Sequence, residues 1–351
     1  MKRTFILVFI FLFAAISLAS ITVGYFNKTY TDASRNNRQV PAIIYYPIDS
    51  SNPSATYPYI IFGHGWNSNY AASITLTNEL VYFGWIVAYP RTEEGIFPST
   101  TDFAKDISFL QGKVFTENSL SPSVLFGKMQ PLAISMGYSM GGACATIAAS
   151  LNVNFNSLIS YCAAPEIVSG AIDAAAGVHV PSLTYSGSDD WVAPPSNNQV
   201  PLYNNLASVY KAFISITGVG HTAYYNNSLI PLTIDPFLSF LKTGDASYLD
   251  TFSAALASHT SSLTYQIVNN LVIVPATPTN ISMQNVGGTK VISWNKALNA
   301  STYKVYASSN PYNGFTDVTS QGVMTTDTMV HWTTNDPAGR SVFYKVTGNR
   351  N

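Results

Sequence analysis

The chain has 351 residues, a formal charge of −1, 10% charged side chains and 47% hydrophobic ones. With no basic cluster beyond its first residues it carries no electrostatic footprint for nucleic acid. Its two cysteines exclude a disulfide-dense scaffold, so the core must hold itself together.

Met1-Lys2-Arg3 precedes an apolar run from Phe5 to Leu18, and Ser17-Leu18-Ala19 offers small residues where a signal peptidase reads. The stretch reads as a secretory signal peptide cut after Ala19. The run is shorter than the roughly 20 apolar residues of a membrane span, so the expectation is an exported protein with no stable membrane anchor.

Ile21 to Pro47 reads as edge strands, clearest at Val40–Pro47, and Tyr59–Phe62 as a buried strand ending at Gly63-His64-Gly65-Trp66. Ser73–Phe83 has a helical pattern, and Trp85–Tyr89 is an apolar run of the kind found inside parallel sheets. Thr101–Val114 puts Phe103, Ile107 and Leu110 on one helical face, with Asp102 and Asp106 near its start. Pro131–Leu151 then runs from an apolar strand through Gly137-Tyr138-Ser139-Met140-Gly141 into an Ala-rich helix. Phe155–Tyr161 and Val180–Ser186 are further strands, Gln199–Val209 is helical, and Lys211–Thr217 closes the series. This alternation predicts an α/β fold, a doubly wound and mostly parallel sheet.

Leu271–Thr279 reads as the exit from that domain. Beyond it, Val291–Trp294, Tyr303–Tyr306 and Val342–Val346 are short alternating strands spaced by Asn, Gly and Pro, which predicts a small all-β sandwich. The expected division is a signal peptide over 1–19, a catalytic domain over 20–274, a linker over 275–279 and the sandwich over 280–351. The Trp on its second strand, Tyr303-Lys-Val-Tyr306 on its third and a Tyr-x-Val strand near the end resemble a fibronectin type III module. At about 75 residues it falls short of the roughly 100 of an immunoglobulin-type sandwich, so the final strand is expected to be missing or irregular.

G-x-S-x-G between a strand and a helix is a nucleophile elbow, which makes Ser139 the candidate nucleophile. A serine hydroxyl needs an imidazole to take its proton and a carboxylate to orient that imidazole, in the chain order Ser, Asp, His. Of the five histidines, His64 and His179 precede the acid, His331 lies in the sandwich and His259 on a terminal helix. His221, in a glycine-rich loop just after a strand, remains. Asp189 and Asp190 both follow a strand; Asp190 is preferred, the other serving as a turn or cap residue. The oxyanion of an acyl-transfer intermediate needs two N–H donors. Met140 N–H is one and a backbone N–H after Phe62, assigned to Trp66, is the other. His64 is read as ordering its turn. Cys144 and Cys162 form a disulfide if the helix after Ser139 lies against the next strand, and otherwise are two buried thiols.

From about Gln39 to Phe252 the chain resembles the α/β-hydrolase superfamily, and more narrowly the cutinase-like and dienelactone-hydrolase-like secreted esterases that include polyester-degrading enzymes. The residues carrying the resemblance are Gly63–Trp66, Gly137–Gly142, Asp190–Pro194, Gly220-His221 and Phe240–Tyr248. It implies oxyanion donors at Trp66 and Met140 and the acid at Asp190. One departure is Glu166, which stands where polyester hydrolases commonly carry a Trp that stacks on substrate, and this weighs against aromatic polyesters.

Too few residues separate Tyr161 from Val180 for a helical lid. An open, weakly charged cleft bordered by Trp66, Tyr138, Glu166 and Trp191 favours neutral acyl esters, short to medium aliphatic esters first and polymeric esters second. No His, Asp or Glu cluster has metal-ligand spacing, so neither metal nor organic cofactor is expected. The alternatives are a peptidase or amidase of the same fold, separable by comparing an ester with its matching amide, and a non-catalytic secreted binding protein. N-x-S/T sequons stand at Asn27, Asn226, Asn280 and Asn299.

Overall fold

The computed structural model describes residues 21–222, 227–335 and 342–350. The expected signal peptide and the Asn226 sequon lie outside the described residues. Two units are distinguished, Met1–Gly177 and Val178–Asn351.

The first unit begins with a long antiparallel pair, β1 (Ile21–Asp32) and β2 (Arg38–Asp49), whose register runs from Ile21 opposite Asp49 to Asp32 opposite Arg38. Asn36 and Asn37 sit at φ 52° and 55° in the connection, a conformation that asparagine tolerates better than most residues. β2 pairs antiparallel with β4 (Ile86–Pro90). From there the pairing is parallel: β3 (Tyr57–Gly63) on β4, β5 (Met129–Tyr138) on β3, and β6 (Ser157–Tyr161) on β5. Every residue of β3, β4 and β6 is buried, which is why these segments read as continuous apolar runs instead of alternating ones.

Three longer helices and a short one accompany these strands: α1 (Ile74–Tyr82), α2 (Thr100–Thr116), α3 (Met140–Leu151) and α4 (Ala171–Ala175). Ser99 caps α2, and its hydroxyl also donates to the Asp102 carboxylate at 2.9 Å. Phe103, Ile107, Leu110 and Val114 of α2 share one core with Met140, Ala143, Cys144 and Ala148 of α3. Cys144 and Cys162 are both buried and are not joined. The Cys144 thiol donates to Thr100 O at 3.5 Å, and burial pushes its pKa up.

In the second unit β7 (Ser182–Gly187) pairs parallel with β8 (Tyr210–Ile216), and β8 pairs antiparallel with β9 (Leu263–Asn269). β9 is an addition to the sequence reading, which ended the series at Lys211–Thr217. Only Leu263 of β9 is buried, and Thr264, Gln266 and Asn269 make the run too polar to announce a strand. The helices here are α5 (Gln199–Asn205), α6 (Leu229–Thr243) and α7 (Ser247–Ser258). Tyr210 of β8, Phe237 of α6 and Phe252 of α7 form a ring cluster with centroids 5.9 to 6.4 Å apart.

After a stretch without regular structure come seven strands among the described residues: β10 (Ser282–Val286), β11 (Thr289–Asn295), β12 (Thr302–Ser308), β13 (Thr316–Asp317), β14 (Val323–Thr326), β15 (Met329–Asn335) and β16 (Phe343–Asn349). They make two antiparallel sheets, β10-β11-β15-β14 and β13-β12-β16. Ile292, Trp294, Val330 and Trp332 of the first share a core with Val305 and Val346 of the second. The sequence reading marks three of these strands; of the other four, β10 and β13 are wholly exposed and β14 has four residues, while β15 goes unmarked although Val330 and Trp332 alternate inward along it. Asn299, at φ 62°, joins this part to the α6–α7 corner: its side chain accepts from Ala246 N–H at 2.8 Å and donates to Gly244 O at 2.9 Å.

Candidate active site

Ser139 stands between β5 and α3 at φ 55°, ψ −122°, a strained conformation for a residue with a side chain. Its own carbonyl accepts from Gly142, Ala143 and Ala164 N–H groups at 3.0 to 3.2 Å, and its N–H donates to Tyr161 O at 2.9 Å, so the turn is fixed from both sides. The flanking glycines are steric necessities. A Cβ on Gly137 would overlap the carbonyl of Gly141, and one on Gly141 would overlap the carbonyls of Gly63 and His64. That second approach places the loop after β3 directly against the elbow. A Cβ at Gly65 would lie 3.0 Å from the Tyr138 ring and 3.6 Å from Ser139 Cβ.

Met140 N–H opens α3, in the first turn where amide groups lack intrahelical partners. The next loop residue after Gly65 is Trp66, 54% exposed, whose indole N–H donates to Ile96 O at 3.0 Å. Ile96 and Phe97 on that neighbouring loop are 55% and 92% exposed. Tyr138 is buried, so its ring supports Gly65 rather than lining open surface. Glu166 is exposed on the short turn Pro165–Ile167, and Trp191 is among the most exposed side chains. His64 is buried, with Nδ1 2.9 Å from Gly65 O and Nε2 2.8 Å from Thr92 O.

In the second unit Asp190 and His221 come together. Asp190 follows β7 and His221 follows β8, and because those strands are parallel neighbours their following loops emerge at one edge. Gly187 allows the close approach, since a Cβ there would overlap the carbonyl of Val219. Ser188 N–H to Ile216 O at 2.9 Å and Asp189 N–H to Val219 O at 3.0 Å then staple the two loops. Asp190 Oδ1 accepts from Val192 and Ala193 N–H at 3.1 and 2.8 Å, while Oδ2 lies 2.7 Å from His221 Nδ1. Asp189 is exposed and accepts from the Ser188 hydroxyl instead.

Sequence reasoning missed one feature of the first unit. Asp106 of α2 is fully buried and binds Arg35, Arg38 and Thr92. The signal was present: Asp106 shares the helical stripe of Phe103, Ile107 and Leu110 in a chain with few charges.

Residues 14–251 match the family model described as PET hydrolase-like (PETase). The chain belongs to the PET hydrolase-like family. It is thereby a hydrolase of the carboxylic-ester type with the α/β-hydrolase fold, and the two antiparallel sheets follow the matched segment. Both the Ser139 elbow and the Asp190–His221 pair fall inside the PET hydrolase-like segment. No curated protein gives a match. Among the described residues, no helix is long and apolar enough to cross a membrane.

Proposed function

We propose that this PET hydrolase-like chain is an exported serine esterase working through an acyl-Ser139 intermediate, with His221 as general base and Asp190 fixing the imidazole. The observation that carries the reading is the strained elbow at Ser139, held rigid although it costs stability. The Asp190–His221 hydrogen bond supports it, because a carboxylate on Nδ1 leaves Nε2 to accept the serine proton. In this reading His221 takes the Ser139 proton as Oγ attacks the ester carbonyl. Met140 and Trp66 N–H groups hold the oxyanion, and the imidazolium protonates the departing alkoxide. Water then repeats the sequence on the acyl-enzyme.

Neutral acyl esters suit the surroundings, since Trp66, Ile96 and Phe97 offer exposed apolar surface beside the elbow loop. Short to medium aliphatic esters come first and polymeric esters second, with the fibronectin-like sandwich as a surface-binding accessory. Export rests on the signal-peptide pattern of residues 1–19. The test is turnover of a small soluble ester and its matching amide by wild type and Ser139→Ala. The reading expects ester cleavage well above amide cleavage and its loss in the variant; wild-type turnover in Ser139→Ala would reject it.

A further inference from the structure

The buried carboxylate of Asp106 takes no part in the steps above, yet its bonds lead toward them. Arg35 Nη2 donates to Oδ1 at 2.6 Å, Arg38 donates to Oδ1 at 2.9 Å and to Oδ2 at 2.7 Å, and the Thr92 hydroxyl donates to Oδ2 at 2.6 Å. Arg38 also reaches Glu93 at 2.8 Å, and Glu93 in turn accepts from Ser99 N–H at 2.5 Å. Thr92 is thus clamped by its side chain. Its carbonyl faces His64 Nε2 at 2.8 Å, and His64 Nδ1 faces Gly65 O at 2.9 Å.

The last contact matters because of peptide planarity. In a trans peptide the C=O of Gly65 and the N–H of Trp66 point in opposite directions. Whatever holds the Gly65 carbonyl therefore aims the Trp66 N–H. Both partners of the imidazole are carbonyl oxygens, so a neutral ring donates to one of them and a doubly protonated ring to both. Phe103 packs against the same ring, centroids 4.5 Å apart and planes tilted by 43°, leaving it little room to turn.

We infer that Asp106 is a positioning residue for the oxyanion loop, acting through Thr92 and His64 on the Gly65–Trp66 peptide. The inference rests on the serine-esterase reading for its kinetic consequence and on the hydrogen bonds alone for its structural one. A donor that is misaimed still lets substrate bind, while the tetrahedral intermediate loses part of its stabilisation. The effect belongs in kcat, with KM little changed.

Two variants test it. Asp106→Asn removes the charge but leaves two arginines short of a partner, which threatens folding. Thr92→Val removes only the hydroxyl that grips Asp106 and keeps the side-chain shape. For each folded variant, kcat and KM on a small soluble ester are measured together with amide hydrogen exchange in the peptide spanning 63–67. The expected result is a fall in kcat of about tenfold with KM within about twofold, and exchange at 63–67 faster by about tenfold. Exchange unchanged in Thr92→Val overturns the inference, because the loop would then be held without this chain of bonds. Faster exchange with unchanged kcat overturns its catalytic consequence. If wild type cleaves no ester, the esterase reading fails, and exchange alone still decides whether Asp106 positions the loop.

Discussion

Asp190 holds His221 from across two strand-end loops: Oδ2 lies 2.7 Å from the ring Nδ1, while Oδ1 is occupied by two backbone N–H groups. The carboxylate therefore has one oxygen fixed to the chain and one given to the imidazole. Replacing Asp190 by Asn keeps the shape and removes the charge that stabilises an imidazolium. The expected outcome is a loss of about 10³- to 10⁴-fold in kcat on a soluble ester, with a melting temperature near that of wild type. Steady-state kinetics beside a thermal melt checks both halves of the statement.

Gly141 carries the contact between the elbow and the loop after β3. In Gly141→Ala the new methyl would overlap backbone carbonyls of Gly63 and His64, which have no rotamer with which to move away. The expected cost is about 3 kcal/mol of stability, near the upper end for overpacking. Denaturant unfolding measures it. Gly112→Ala on α2, where a Cβ meets nothing within 4 Å, is the control and should not destabilise.

Alkaline pH should unfold the protein through its buried tyrosines. Burial pushes both Tyr59 and Tyr45 up to about 12; Gln111 pulls partly against this at Tyr59, and neighbouring Tyr70 and Tyr25 add to it at Tyr45. In the unfolded chain tyrosine ionises near 10. Between about pH 10 and 12 the unfolded state thus binds fewer protons than the native one, and stability falls as pH rises. The stabilisation is fully present below pH 10. Denaturant midpoints across this range should drop, more slowly in Tyr45→Phe, and a midpoint independent of pH would contradict the account.

Exposed apolar surface beside the loop after β3 should select for apolar acyl or alcohol groups. Phe97→Ser is expected to lower kcat/KM on a long-chain ester by about threefold to tenfold relative to a short-chain one, the scale of one apolar side chain's contact. The ratio of the two specificity constants is the measurement. An unchanged ratio would remove Phe97 from the substrate's path.

The parallel core was legible because β3, β4 and β6 are buried on both faces and so read as unbroken apolar runs. The elbow was legible because its geometry tolerates glycine alone at 137 and 141, leaving a fixed spacing around Ser139. Less visible were β9, with a single buried residue, the exposed strands β10 and β13 and the four-residue β14; β15, with Val330 and Trp332 alternating inward, went unmarked although its pattern was present. Strand pairing there is decided by neighbours distant in sequence, which no local pattern encodes. Tyr138 illustrates the same limit at the site. Its place in the elbow suggested a substrate contact, but the close approach of Gly65 puts the ring underneath the loop. Asp106 is the converse case, a charge on an apolar stripe whose partners Arg35 and Arg38 come from the β1–β2 connection and the start of β2, about 70 residues earlier.

The most direct test of the account is exposure of the folded wild-type protein to a fluorophosphonate, followed by intact-mass measurement and peptide mapping. The account predicts one adduct, on Ser139, and none in His221→Ala, where the serine lacks its base. Folded protein that takes up no label, or takes it up elsewhere while Ser139 stays unmodified, would contradict the assignment of Ser139 as the nucleophile.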